Sequence, residues 1–275
     1  MNLFPYGLGE TLGDAIVTSS SLQTPGVVWY VHHTGSDAYA GLDRLKPKAT
    51  IGAAVAASTA GNIIVMLPGH TESITASIPV AWGLFIVGAG ASGGVPTVTL
   101  TRSSAAADAM FAVSANNVLF GNVKFAASTF STPETRISIA ASTVNTTVRG
   151  CYFESGALDT GVANAIHAGT SVRRLVIKDT TFISTATVVT AQPGPAVGVT
   201  AGTAGSMWVM EDVIFSGGTA GWGNYGEAFT DTLSYVTAFR YERVSLLLGA
   251  DFYMSSSSTG FLNVVTSKSG GQVSW

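Results

Sequence analysis

The chain has 275 residues, a net charge of −3, and 11% charged against 47% hydrophobic side chains. It has no basic run to neutralise a phosphate backbone and no stretch of eighteen apolar residues to cross a bilayer, so neither nucleic-acid binding nor membrane insertion is expected. The apolar content is mostly Ala, Val, Ile and Phe dispersed among Gly, Ser and Thr, a mixture that suits short strands and tight turns, and a surface this poor in charge suits contact with other subunits.

In chain order, residues 1–27 are expected to form an extended arm, with Phe4, Pro5, Tyr6 and Leu8 as apolar anchors, ahead of one domain over 28–275. The first residues lack the basic start and apolar core of a secretory signal, and Cys151 is the lone cysteine. Both features predict synthesis in a reducing cytoplasm. A strand at Tyr30-Val31 leads through His32, His33 and a Gly35-Ser36-Asp37 turn to Pro47–Ala57. That segment reads as a short helix capped by Thr50, with Ile51 and Val55 at helical spacing, placed to cover the open end of whatever follows. Asn62–Leu67 is the next strand, and His70 follows Pro68-Gly69 at a turn.

This succession resembles the opening of right-handed parallel β-helix proteins of the pectate-lyase-like superfamily, in which a Tyr-Val strand, a Gly-Ser-Asp turn and a Pro-x-x-Thr-Ile helix start precede the first turn. The resemblance implies an all-β fold, a single-stranded right-handed parallel β-helix with a short N-terminal capping helix. It is specific for fold and not for activity.

Leu84–Val87 and Thr97–Leu100 are further strands, separated by Gly88-Ala-Gly-Ala-Ser-Gly-Gly94. That glycine run lacks the Lys-Ser/Thr ending and the following helix of a phosphate-binding loop, so it reads as a wide corner. From Val118 onward one pattern repeats five times, ending at Phe125, Phe153, Phe182, Phe215 and Leu246, with spacings of 28, 29, 33 and 31 residues. Self-similarity at this period marks a solenoid, in which no single copy buries its own apolar face.

Counted back from each terminal residue, position minus two holds Val123, Cys151, Thr180, Val213 and Val244. Position minus five holds Phe120, Val148, Ile177, Met210 and Tyr241, and position minus seven Val118, Thr146, Leu175, Trp208 and Phe239. Each pair of columns alternates as a strand requires, but the phase slips by one residue between them. A bend is therefore predicted at minus four and minus three: Gly121-Asn122, Arg149-Gly150, Lys178-Asp179, Glu211-Asp212 and Glu242-Arg243. Asn, Gly and Asp tolerate the left-handed backbone of such a corner, and Arg243 is the exception. Met110–Val113, Ile137–Ile139, Ala165–His167 and Ala196–Val199 supply a third strand per turn. Phe261 and Val264-Val265 look like part of another turn, while Ser267–Gly271 looks like a loop.

Enzymes of the resembled superfamily commonly cleave polysaccharides with clustered carboxylates beside the parallel sheets. The candidates here are Asp179 with Asp212, and Glu211 with Glu242, on successive turns. The same columns set Lys178 beside Glu211 and Asp212 beside Arg243, so opposite charges neighbour each other and structural ion pairs explain the residues without catalysis. No histidine pair has metal-ligand spacing, Asp37 and Asp43 read as turn residues rather than calcium ligands, and no cofactor is expected. Cys151 falls in an inward column and reads as an inert buried thiol. The Asn145-Thr146-Thr147 sequon carries no weight without an export signal.

Two exposed loops remain. Gly221–Glu227 offers Trp222 and Tyr225 for stacking on a sugar or anchoring a subunit, and Val188–Pro195 lies on the neighbouring turn. Small Ala/Ser/Thr/Gly-rich β-helices of this kind are similar to virion components of tailed bacteriophages, either capsid decoration proteins or tail spikes. That resemblance implies a non-enzymatic virion protein docking on the major capsid protein or another virion protein through residues 1–27, as a homo-oligomer, a homotrimer. The other expectation is a tailspike-like protein that binds or cleaves a host surface glycan.

Overall fold

The computed structural model describes residues 26–103, 109–126, 135–155, 164–184, 196–199, 205–216, 227–231, 236–247, 251–254, 259–268 and 273–274. The strands are short and, except for one hairpin, pair in parallel with their equivalents a turn away, so each turn is a flat coil stacked on the last. The first strand of a turn runs, for example, over Val118–Gly121, Val144–Arg149 and Arg173–Lys178. The second runs over Lys124–Phe125, Tyr152–Ser155 and Thr181–Ser184. The third, over Ala109–Val113, Thr135–Ile139, Ile166–Ala168 and Val197–Val199, belongs to a separate sheet of eight strands. Val236–Leu247 runs as one long strand through its corner and pairs with both the first and the second strand of the preceding turn, so these two sets of strands form a single fifteen-stranded sheet. The fold is the parallel β-helix expected from the repeat.

Register matches the sequence columns. Phe120 pairs with Val148, Val148 with Ile177, and Ile177 with Met210. Inside, the Phe125, Phe153, Phe182 and Phe215 rings stack face to face with centroids 4.6, 4.9 and 4.8 Å apart and planes within 9°. This spacing is the interstrand distance of a sheet, about 4.8 Å, so the backbone ladder itself brings the rings into offset contact. All four are fully buried, as are the minus-two residues Val123, Thr180, Val213 and Val244.

The corner falls at minus three. Asn122, Gly150, Asp179, Asp212 and Arg243 all take left-handed φ values, between 51° and 61°. Arg243 adopts this geometry although its side chain does not favour it, because the turn before it already fixes the path. A second left-handed column, not read from the sequence, lies at minus eight: Asn117, Asn145, Arg174 and Met207, with φ from 56° to 62°. There Asn145 Nδ2 donates to Asn117 Oδ1 at 2.8 Å, linking two turns.

The helix, α1, covers Ile51–Ala57 and is shorter than predicted. Residues 47–50 are extended instead: Lys48 bridges Val31 in parallel, and its N–H donates to the Tyr30 carbonyl at 2.9 Å. Thr50 caps the helix by accepting from the Ala53 N–H, and Ile51, Ala54 and Val55 are buried. The glycine run is not a plain corner. Ala91–Ser92 and Val95–Pro96 pair antiparallel around Gly93-Gly94, both at positive φ, which is the geometry of a two-residue hairpin turn. Near the C-terminus, Thr259–Lys268 pairs in parallel with Val236–Leu247, so Ser267 and Lys268 extend a strand where a loop was expected, and Val273–Ser274 adds a last strand to the eight-stranded sheet.

Candidate functional site

The corner columns carry a ladder of charges on the outside of the solenoid. Arg149 Nε donates to Asp179 Oδ2 at 3.0 Å, and Lys178 Nζ lies 3.2 Å from Glu211 Oε2. Arg243 gathers three carboxylates: its Nε lies 2.5 Å from Asp212 Oδ1, one Nη donates to Glu211 at 2.5 Å and to Asp212 Oδ2 at 2.8 Å, and the other Nη binds Glu242. Glu242 also accepts from Arg240. The residues singled out as possible acid and base, Asp179 and Asp212, thus stand on adjacent turns, each bonded to an arginine.

The chemistry follows from these bonds. The hydrogen bond from Arg243 holds the Asp212 carboxyl below the usual carboxylate range, reinforced by the charges of Arg243 and Lys178. A general acid needs the opposite shift, and a nucleophile needs a free oxygen, whereas both Asp212 oxygens accept from Arg243. Glu242 is lowered in the same sense, first by its hydrogen bond from Arg240. The arrangement is suited to fixing successive turns in register.

A second grouping was not legible as such. His32 and His33 have ring centroids 4.2 Å apart, and His70 lies 6.3 and 6.2 Å from them. Sequence reading kept these histidines apart, yet the pairing of Val31 with Met66 puts the turn after one strand against the turn after the other. Aligning Tyr30-Val31 on Val65-Met66 is the signal that would have found it. His70 is fully buried and its Nε2 lies 3.1 Å from Glu72 Oε2, the same oxygen that accepts the Ile51 N–H at 2.8 Å. Partial burial, then the neighbouring His33 and His70, lower the His32 pKa. Among the described residues no group of three or more His, Cys, Asp or Glu has the disposition to hold a metal ion. Glu72, held by His70, braces the start of α1 together with Asp37, whose Oδ1 accepts from Ala49 N and Thr50 N at 2.9 Å and whose Oδ2 accepts from Thr50 Oγ1 at 2.8 Å. Asp43 likewise makes a turn bond, accepting from Leu45 N at 2.9 Å.

Cys151 is buried beneath the corner, and burial pushes its thiol up to about 12. Phe4, Tyr6, Leu8, Trp222, Tyr225 and the loop 188–195 lie outside the described residues.

Fold and site together define a parallel β-helix scaffold with a charge-paired outer corner. No family model matches the chain, and no curated protein matches it. Among solved structures it is similar to the pectin methylesterase of Aspergillus niger in deglycosylated form, with 14% identity, 90% of this chain and 87% of that one covered, and a TM-score of 0.48. The penultimately deglycosylated form of that esterase gives 13% identity over 91% and 87%, with a TM-score of 0.44. A rhamnogalacturonan lyase gives 9% identity over 90% and 87%, with a TM-score of 0.44. These are likenesses of fold and carry no conclusion on activity.

Proposed function

We propose that the chain is a non-enzymatic structural protein of a bacteriophage virion, a capsid decoration protein that docks by its N-terminal end, with residues 1–27 as the docking segment. The observation that carries this reading is that four of the seven exposed large apolar side chains among the described residues lie at that end: Val27 is 49% exposed, Tyr39 45%, Leu42 53% and Leu45 80%, all beside the first strand or on the loop that follows it, while Trp82, Met207 and Ile214 lie further along the chain. Apolar side chains gathered at one end of a solenoid suit contact with another protein. The opposite-charge ladder supports the same reading, because it engages the carboxylates that a glycan-cleaving enzyme would leave free.

The test uses the purified full chain and capsids assembled from the major capsid protein of the phage in which the proposal places it. Saturable co-sedimentation that is lost in Leu42→Ser/Leu45→Ser, with the melting temperature unchanged, is the expected result. Full-occupancy binding by a chain lacking residues 1–27 would remove the arm from the reading. Cleavage of capsular polysaccharide that Asp212→Asn abolishes at unchanged stability would replace the reading with the glycan-cleaving one.

A further inference from the structure

The outer edge of the first strand is closed by the segment that follows it. Val28–Val31 stands at one end of the fifteen-stranded sheet and pairs with Ile63–Met66 on one side. On its other side Tyr30 N donates to Gly41 O at 2.7 Å, Lys48 N to Tyr30 O at 2.9 Å and His32 N to Lys48 O at 2.9 Å. Residues 32–48 thus occupy the edge with which a preceding turn would pair. A strand edge left bare invites pairing with another chain.

The histidine cluster clamps this segment where it leaves the strand. His33 Nδ1 accepts from Thr71 N at 3.4 Å, which ties the turn after the first strand to Thr71–Ile74. His32 Nδ1 lies 2.8 Å from Thr34 Oγ1 and accepts from Thr34 N at 3.4 Å. An imidazole whose Nδ1 accepts is neutral and carries its proton on Nε2, so a second proton would set N–H against N–H in both rings. His70 is fully buried with Nε2 on Glu72 Oε2, and a proton on its Nδ1 would meet no acceptor among the described residues.

The charged groups around the cluster do little to offset such protons. Glu72 Oε2 is shared between His70 and Ile51 N, and Asp37 accepts from Ala49 and Thr50, so neither carboxylate is bonded to His32 or His33. Lys48 adds a further positive charge, its Nζ 3.2 and 3.0 Å from the Asp37 and Tyr39 carbonyls. With His32 and His33 centroids 4.2 Å apart and His70 within 6.3 Å of both, charged rings would repel at short range. Partial burial, then His33 and His70, hold His32 below its ordinary 6.5, partly offset by the Pro68 carbonyl. A base so held charges first in the open form, so the closed form is favoured above about pH 6.5 and loses ground as pH falls below it. We propose that the cluster is an acid-opened latch: on charging, His32 and His33 part from Thr71 and His70, and residues 32–48 leave the outer edge of Val28–Val31 while the later turns stay folded. Turns of a solenoid contact only their neighbours, so opening at one end need not spread. The N–H groups of Tyr30 and His32 and the Tyr30 carbonyl then become available to an incoming strand. The inference concerns the free chain and holds whether or not that end docks on a shell.

Amide hydrogen exchange on the full chain tests it, with rates corrected for their intrinsic pH dependence. Between about pH 7.5 and about pH 5.5, a window above the ordinary carboxylate range, the Tyr30 and Lys48 amides are expected to lose protection by about tenfold or more. Leu119 and Tyr152, whose amides bond the Leu84 and Val123 carbonyls in later turns, should keep theirs. His32→Gln/His33→Gln should remove the response, and His167→Gln, on the third strand of a later turn, should leave it in place. A loss of protection that persists in the double variant overturns the proposal, as does no loss at all, or one shared by Leu119 and Tyr152, which would mean that the whole chain loosens. Should the double variant fail to melt cooperatively, His33→Gln at its exposed position should weaken the response, and an unchanged response there overturns the proposal equally.

Discussion

Removing one ring from the interior stack measures what holds the turns together. Phe182 is fully buried between Phe153 and Phe215, with centroids 4.9 and 4.8 Å away. Phe182→Ala removes the ring's transfer free energy, leaves a cavity that the rigid ladder cannot close, and is expected to cost about 3–5 kcal/mol. Phe215 is equally buried but has a ring neighbour in the stack on one side only, since its partner on the next turn is Leu246. Each stacked pair is worth about 0.5–1.5 kcal/mol beyond its area, so Phe182→Ala should exceed Phe215→Ala by about that amount. Urea unfolding followed by far-UV circular dichroism reads the difference as a shift in midpoint at common slope. Turns of a solenoid contact only their neighbours, so equal slopes are needed before midpoints are compared. If Phe215→Ala proves as damaging as Phe182→Ala, stacking is not what distinguishes the two sites, and apolar burial alone sets the strength of the interior.

Two further outcomes are expected. Asp212 has its folded pKa below the ordinary 3.8, so its stabilising contribution is present above that value and disappears as pH falls through the folded pKa; the melting temperatures of the native chain and Asp212→Asn should therefore differ at pH 7 and converge in acid. Because the pair is largely solvent-exposed, the neutral-pH difference should stay within about 1 kcal/mol. Cys151, with its thiol near 12, should resist alkylation at pH 8 in the folded chain and react fully in denaturant, and rapid labelling of the folded chain would show that the corner above it opens.

Much of the architecture was legible because the repeat is strict. The phase slip between Phe120 and Val123 located a corner that all five minus-three residues adopt. The charges around Arg243 followed from columns alone. What escaped notice was information held between distant segments or in backbone without a typical residue. Arg174 and Met207 sit in left-handed geometry imposed by the coil, with no Gly or Asn to announce it. Thr71–Ile74 is too polar and Ile78–Val80, three residues with a central Pro79, too short for periodicity to register, and their parallel partners fix them. The histidine cluster needs the register of Val31 with Met66 before its members meet, and Glu72 and Asp37 gain their roles only from where α1 begins.

The charge ladder also bears on how such a chain changes length over generations. Excising the turn that carries Glu211 and Asp212 would set Lys178 against Glu242 and Asp179 against Arg243, again opposite in sign at both positions. Losing the turn of Lys178 and Asp179 would set Arg149 against Glu211 and Gly150 against Asp212, with no like charges meeting. Recombination that drops either turn therefore meets little electrostatic resistance at this corner, whereas a tandem copy of the Glu211 turn would set Glu211 on Glu211 and Asp212 on Asp212, so the solenoid shortens here more readily than it lengthens.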